Sequence, residues 1–183
     1  MAAKGSVSVS RRVTVRRGRV AEAPASYVAT PSLWRASKSP SRTDALLLDT
    51  HAWIWTLNAA RAEMSEGAWT HIETAARERR LFVSDISFWE VSLKVSKGQL
   101  ALPMNATLWL GQAAGAPGIQ GLALTRDVLI QSTQLAGDPH ADPADRMLIA
   151  HAQVNNMSLL TCDARIIAYA ARQPGVPVCD ARR

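Results

Sequence analysis

Four acidic residues that stand beside apolar runs are the first features of this sequence that could do chemistry: Asp49, Glu90, Asp145 and Asp163. Taken singly, each has a structural explanation, since an acid at the start of a helix caps it or interacts favourably with its dipole. Taken together in one cleft, four carboxylates would repel one another unless protons or a cation intervened. Oxygen ligands without a cysteine or histidine cluster favour Mg²⁺ or Mn²⁺ over Zn²⁺. The sequence therefore predicts a catalytic metal site wherever the fold brings these four acids together.

The chemistry that such a site supports is hydrolysis of a phosphodiester. A cation held by a few carboxylates keeps bound water and leaves room for phosphate oxygens. The number of ions stays open at this stage.

Two accessory residues stand near the acids. Thr161 is placed to orient a ligand or water, or is an ordinary strand residue. Arg146 is placed to meet a phosphate, or forms an ion pair with a neighbouring acid.

Strands that alternate with helices must position these side chains. Apolar runs predict strands at 45–50, 81–86, 119–125 and 158–163, with a short edge strand at 176–179. Helical patterns cover 51–58, 65–80, 87–97, 105–114, 127–136, 142–155 and 164–172. This alternation predicts an α/β fold, a doubly wound and mostly parallel sheet flanked by helices in a single domain. In a parallel sheet all carboxyl ends lie along one edge, so we expect the four acids to meet there.

Local signals also give several polar residues a structural role. Ser87-Phe88-Trp89-Glu90 fits a capping box, and Glu90 with Lys94 forms an i,i+4 pair. Asp142 is predicted as an N-cap followed by Pro143 at the first helical position.

The remaining polar and aromatic candidates are predicted to lie outside the chemistry. His51 is predicted to be structural, because a metal that activates water makes a general base unnecessary. Asp180 also ends a strand but is a weak candidate near the end of the chain. Four tryptophans on helical apolar faces are predicted to form core or subunit contacts rather than base-stacking platforms: Trp53, Trp55, Trp89 and Trp109.

Composition places the chain among globular proteins of one domain. It has 183 residues, of which 48% are hydrophobic. It contains no apolar run of the roughly 18 residues that a membrane span needs. The stretch at the amino terminus lacks the apolar core of a secretory signal. Cys162 and Cys179 follow apolar residues in predicted strands, which favours free thiols in a reducing, cytoplasmic location over a disulfide or metal pair.

The net charge of +6 is divided unevenly along the chain. Residues 1–43 hold nine basic residues and one acid, whereas residues 44–183 hold twelve basic residues and fourteen acids. The first segment is rich in Ser, Arg, Ala and Pro without a sustained period, so we predict a disordered extension followed by a folded domain at 44–183. Three origins stay open for the extension: a basic arm that adds phosphate affinity, a solvated leader without a role, or a start site placed too far upstream. The last two are favoured, since aromatic stacking residues are scarce there.

Four segments together resemble a known family. These segments are Leu47-Leu48-Asp49-Thr50-His51-Ala52-Trp53, Ser87-Phe88-Trp89-Glu90-Val91, Asp142-Pro143-Ala144-Asp145-Arg146-Met147-Leu148-Ile149-Ala150 and Leu159-Leu160-Thr161-Cys162-Asp163. In order and spacing they resemble the PIN-domain ribonucleases of the VapC toxin type. The likeness covers residues 44–183, and Asp-Pro-Ala-Asp-Arg is its most specific part. The extension 1–43 departs from the pattern, since such proteins usually begin almost at the first strand.

The resemblance implies a metal-dependent endoribonuclease in which Asp49, Glu90, Asp145 and Asp163 hold Mg²⁺ or Mn²⁺. It also implies the toxin of a type II toxin-antitoxin pair. Such a toxin is expected to be a homodimer that an antitoxin silences by placing its tail in the acidic cleft.

Two other functions compete with this interpretation. A non-catalytic RNA- or protein-binding module on the same fold would use the acids only as helix ends. A doubly wound phosphatase with an aspartate nucleophile is less favoured, because that chemistry usually needs a second acid two residues after the first, and His51 occupies this position.

Overall fold

Strand β1 (Leu46–Leu48) is the central strand of a five-stranded sheet in the order β3-β2-β1-β4-β5. The computed structural model describes residues 45–173 and 175–183, so the predicted extension 1–43 lies outside the described residues. Every pair of neighbouring strands is parallel. The chain runs outward from β1 to β3 and then returns to the other side of β1. The point of return lies between β1 and β4, which is where doubly wound sheets bind ligands.

The described residues form five strands and seven α-helices. The other strands are β2 (Leu81–Ser84), β3 (Ile119–Leu122), β4 (Ser158–Thr161) and β5 (Val178–Asp180). The helices are α1 (Thr50–Leu57), α2 (Glu66–Arg77), α3 (Asp85–Ser96), α4 (Ala106–Ala114), α5 (Arg126–Thr133), α6 (Pro143–Asn155) and α7 (Ala164–Arg172), with a short 3₁₀ turn at Arg61–Glu63. None of the helices in these two ranges is long and apolar enough to cross a membrane.

Alternation along β1 divides the core into two layers. Leu46 and Leu48 face one layer, which contains Trp53 of α1 and Ile72 of α2. Leu47 faces the other, which is built mainly on α5, α6 and α7. All three leucines are completely buried. A strand covered on both faces explains the unbroken apolar run, and it holds the residue that follows the strand in a fixed place.

The strands that end in acids are shorter than predicted. β1 stops before Asp49 and β4 stops before Cys162, because Asp49 and Asp163 are already the N-caps of the helices that follow. The chain therefore passes from strand to helix within one or two residues. Both acids are placed by backbone geometry at the same sheet edge.

The predicted capping box at Ser87 is wrong. β2 ends at Ser84, and the Ser84 hydroxyl oxygen accepts a hydrogen bond of 3.3 Å from the Ile86 amide as the N-cap of α3. Asp85 supplies the acid that favours a helix start. Ser87 is consequently buried inside the first turn, and Glu90 lies in the second turn, where it has no capping role.

Several other ends differ from their predicted positions. β3 stops at Leu122 because Thr125 is the N-cap of α5, and α5 itself ends at Thr133. α2 ends at Arg77, since the chain turns through a left-handed backbone at Arg79 with a φ of 57°. The edge strand is shifted to Val178–Asp180. Ser65 is the N-cap of α2, and the predicted Asp142-Pro143 start of α6 is confirmed.

Candidate active site

Asp49 is fixed at the end of the central strand by hydrogen bonds to both of its carboxylate oxygens. It is only 4% exposed. Oδ1 accepts from the backbone N–H of His51 at 2.6 Å, and the Thr161 hydroxyl donates to Oδ2. Burial raises the pKa of Asp49, while the hydrogen bond from Thr161 and the neighbouring His51 act in the opposite direction. The carboxylate is therefore oriented before any ligand arrives.

Thr161 links the two acids at the point where the strand order reverses. Its hydroxyl donates to Asp49 on β1, and its oxygen accepts a hydrogen bond of 3.0 Å from the Asp163 amide. Asp163 Oδ1 in turn accepts from the amides of Arg165 and Ile166 at 2.7 and 3.1 Å. Thr161 is completely buried. Of its two predicted roles, the contacts support positioning: it orients a carboxylate.

Glu90 approaches the site from α3 through a second hydroxyl network. The Thr50 hydroxyl oxygen lies 2.7 Å from Glu90 Oε2 and 3.0 Å from the Ser87 hydroxyl oxygen. A carboxylate only accepts, so Thr50 gives its proton to Glu90 and its oxygen is left to accept from Ser87. The predicted Lys94 pair is confirmed, with Nζ at 3.3 Å from Glu90 Oε1.

Asp145 carries the least compensated charge of the four acids. It lies in the first turn of α6, after the N-cap Asp142. Its pKa is raised from 3.8 to about 7, first by burial and then by the negative charges of Asp142, Glu90, Asp49 and Asp163. Since three of these charges belong to the other predicted site residues, the fold brings all four acids close enough to repel one another. A cation would relieve this repulsion.

His140 is part of the site, although the sequence did not point to it. Its Nδ1 lies 2.8 Å from Asp145 Oδ2, and its side chain is only 8% exposed. Ligand atoms of His140, Asp145 and Asp163 all lie within 4.8 Å of one another, a spacing that suits one metal ion. The Asp142 amide also donates to His140 Nδ1 at 3.0 Å. The available signal was the position of His140 in the loop just before the Asp142 cap.

Among the described residues Arg146 lacks the ion pair that was one of its two predicted roles, its contact with a phosphate stays a prediction, and His51 is more exposed than expected of a structural residue. Arg146 Nε donates to the backbone carbonyl of Ser132 at 2.9 Å, and Arg146 forms no ion pair with an acid in the part of the chain that the structure describes. His51 was predicted to be structural, but its side chain is 52% exposed, with Nδ1 at 3.9 Å from Asp49 Oδ1. It lies at the mouth of the site because it follows the N-cap directly.

The remaining candidates are one acid, four tryptophans and two cysteines. Asp180 is held by the last residues of the chain, the Arg182 amide and the Arg183 guanidinium. Trp53 and Trp109 are buried in contact with each other, as predicted, and Trp55 packs at the edge of the same core. Trp89 is 53% exposed and so is not a core residue, and its alternative role in a subunit contact stays a prediction. Cys162 and Cys179 are free, half-buried thiols whose pKa values burial raises.

The fold and this acidic edge can be compared with known proteins. The PIN domain family matches residues 46–172. This chain belongs to the PIN-domain family. The family predicted from the four segments is therefore confirmed, and so is the α/β fold with its parallel sheet.

Individual PIN-domain relatives support the same assignment. The protein is 28% identical over 129 residues to ribonuclease VapC22 of Mycobacterium tuberculosis (strain ATCC 25618 / H37Rv), a match that covers 70% of this chain and 95% of the relative. Its fold is similar to a chain of DNA-bound VapBC from Salmonella typhimurium, with a TM-score of 0.53, 20% identity and coverage of 74% of this chain and 97% of that chain. VapBC2 from Rickettsia felis, bound to a promoter DNA fragment, gives a TM-score of 0.54, 15% identity and coverage of 74% and 98%.

Proposed function

We propose that this PIN-domain protein is an endoribonuclease that hydrolyses RNA phosphodiester bonds with Mg²⁺ or Mn²⁺, and that it is the toxin of a toxin-antitoxin pair. The observation that carries the proposal is the convergence of His140, Asp145 and Asp163, whose ligand atoms lie within 4.8 Å of one another. Burial and the neighbouring acids raise the pKa of Asp145 to about 7, and among the described residues one ammonium group, that of Lys94, forms an ion pair with an acid of the cluster. Such a cluster is costly without a cation.

The donor groups fit a hard divalent cation. Asp145 and Asp163 offer carboxylate oxygens, which Mg²⁺ and Mn²⁺ prefer, and His140 adds one nitrogen within 4.8 Å of both. Asp49 and Glu90 lie near enough to raise the pKa of Asp145 and offer further carboxylate oxygens. When bound, the cation would polarise the phosphate and lower the pKa of the attacking water.

The residues of the chain supply position and charge. Thr161 and the His51 amide hold Asp49 in one orientation, and Thr50 does the same for Glu90. His140 contacts Asp145 and restricts the rotation of its carboxylate. Preorganised ligands of this kind lose little entropy when the substrate complex forms, so the chain sets the geometry at which the phosphate is attacked.

RNA cleavage by the full chain tests the enzymatic part of the proposal. The wild type is expected to cleave single-stranded RNA with Mg²⁺ or Mn²⁺ and to stop when EDTA is added. Asp49→Asn and Asp145→Asn should each lower the rate by at least about 100-fold, because a neutral amide is a poor metal ligand. Asp127→Asn is the matched control, since Asp127 also lies in the first turn of a helix. A folded, metal-loaded wild type that cleaves no RNA would contradict the proposal and favour a binding module.

An antitoxin is the proposed protein partner. Two of the solved chains with similar folds belong to VapBC complexes. Trp89 on α3, the helix that carries Glu90, and Leu108 on α4 are 53% and 56% exposed, so two helices in contact offer apolar side chains to a partner. We expect expression of the wild type to arrest bacterial growth, and coexpression of a small protein encoded beside it to restore growth. Growth that is unaffected by a cleavage-competent protein would contradict the toxin role.

The proposed assembly is a homodimer. A second exposed apolar group lies on α5 and α6, at Leu129, Ile130 and Val154. Light scattering during size-exclusion chromatography is expected to give twice the mass of 19.8 kDa. A mass of one chain at every concentration would contradict the dimer.

A further inference from the structure

A groove of about 350 Å³ lies between the loop 138–141 and helix α7. The loop forms one wall, and α7 forms the other with Arg165, Ala168, Tyr169 and Arg172. These four residues are spaced by three, one and three positions, so they share one face of the helix. The groove is open to solvent and has both polar and apolar lining.

The groove begins at the acidic cluster. His140 lines its wall and contacts Asp145 through Nδ1. On the opposite wall, the Arg165 amide donates to Asp163 Oδ1 at 2.7 Å. A linear polymer with one phosphate among the four acids could therefore extend directly into the groove.

The wall of α7 is rigid and carries two uncompensated cations. Tyr169 is 2% exposed and donates from its hydroxyl to the Ala136 carbonyl at 2.9 Å, which ties the helix to the segment just before the loop. Arg165 and Arg172 are exposed, and neither guanidinium forms an ion pair with any residue of 45–173 or 175–183. Asp138 is the acid of the lining and lies exposed on the loop.

We propose that this groove binds the sugar-phosphate backbone of the RNA strand next to the bond that is cleaved, with Arg165 and Arg172 each contacting a phosphate. Seven residues of helix separate the two arginines by about 10 Å along the axis, which suits two phosphates of one strand. The inference rests on the proposed ribonuclease function.

Charge explains why the substrate needs this groove. Residues 44–183 hold more acids than basic residues, and the cleavage site itself is acidic. A polyanion is therefore not attracted by the domain as a whole, and local arginines must supply the attraction. Arg is suited to this because its planar fork matches phosphate oxygens.

Binding of a fluorescent single-stranded RNA oligonucleotide, measured by anisotropy in EDTA, tests the groove apart from cleavage. We expect Arg165→Gln and Arg172→Gln each to weaken binding by about 3- to 10-fold and to lower the salt dependence by about 0.7 per lost phosphate contact. Arg77→Gln is the matched control for Arg172→Gln, since Arg77 is likewise an exposed arginine in the last turn of a helix but lies on α2, outside the lining of the groove. Arg165→Lys should recover part of the affinity, because the charge is kept.

The possible results separate the groove from the nuclease. Arg165→Gln and Arg172→Gln proteins that bind RNA as tightly as Arg77→Gln would overturn the groove, even if the wild type cleaves RNA. If both arginine variants bind RNA more weakly than the wild type, but the wild type cleaves no RNA, the groove is supported and the nuclease function is overturned. An acidic peptide of equal charge that competes as well as RNA would overturn the assignment to nucleic acid.

Discussion

The acidic cluster has two halves that differ in how their charge is compensated. On the β1 side, Asp49 accepts hydrogen bonds on both oxygens, and Glu90 is paired with Thr50 and Lys94. On the α6 side, Asp145 contacts only His140 among the described partners and has a pKa of about 7. Both halves contain half-buried or buried carboxylates, so burial alone does not explain the difference. Hydrogen-bond donors stabilise the first half, whereas the second half needs a cation or a proton.

The largest effect on stability is expected from Asp145→Asn, which removes the uncompensated charge. The pKa of Asp145 is raised in the folded state, so between about pH 4 and 7 the folded protein holds a proton that the unfolded chain has lost. The unfolding free energy of the wild type therefore falls as the pH rises from about 4 to about 7, because the folded state disfavours the charged form of Asp145. In EDTA at pH 8, Asp145→Asn is expected to be more stable than the wild type by about 3 kcal/mol. Urea unfolding at pH 5 and 8 measures this difference.

The control for this change is Asp127→Asn, which alters an exposed acid in the first turn of α5. Its unfolding free energy should follow the wild type at both values of pH. If the unfolding free energies of the wild type and Asp145→Asn change with pH in the same way, the pKa of Asp145 is not raised by burial and the neighbouring acids.

A smaller effect is expected in the half that hydrogen bonds stabilise. Thr161→Val keeps the shape of a β-branched residue but removes the donor to buried Asp49. The loss should cost about 2 kcal/mol of unfolding free energy and lower RNA cleavage by about 10- to 100-fold. Thr161→Ser restores a hydroxyl and should recover most of the activity. Activity of Thr161→Val equal to the wild type would remove Thr161 from the positioning of Asp49.

The smallest effect concerns Lys94, which pairs with Glu90 at the surface of the site. Lys94→Gln should lower the unfolding free energy by about 0.5 kcal/mol, as expected for one i,i+4 pair. It should also tighten Mn²⁺ binding a few-fold, because the ammonium no longer competes for Glu90. Calorimetric titration of Mn²⁺ measures the affinity, with Lys97→Gln as the control. Weaker Mn²⁺ binding by Lys94→Gln would mean that Lys94 holds Glu90 in its binding orientation.

The parts of the site that follow from strand order were predictable from the sequence. An unbroken apolar run that ends in Asp49, and a second that ends in Asp163, predict parallel strands with acids at one edge. The Asp142-Pro143 pair fixes the start of α6 and hence the position of Asp145. These features depend on local backbone chemistry, which the sequence displays directly. The binding of a metal by the acids stays a prediction.

The parts that depend on loops and on competing caps were not predictable. His140 reaches Asp145 only because the loop folds back, and no periodic pattern records that path. Ser84 and Ser87 are both acceptable helix caps, and the choice between them depends on where β2 must end beside β1. The backbone partner of Arg146 lies on another helix and was equally invisible in the sequence.

Thermal unfolding with and without Mn²⁺ tests most directly whether the acidic edge is a metal site. Wild-type protein at pH 7.5 is expected to gain about 5 °C in Tm at saturating Mn²⁺ and to lose the gain in EDTA, because only the folded state gathers the ligands. Asp145→Asn should start at a higher Tm and gain less than about 1 °C. Equal gains in both proteins, or no gain in the wild type, would contradict the assignment of the four acids to a cation.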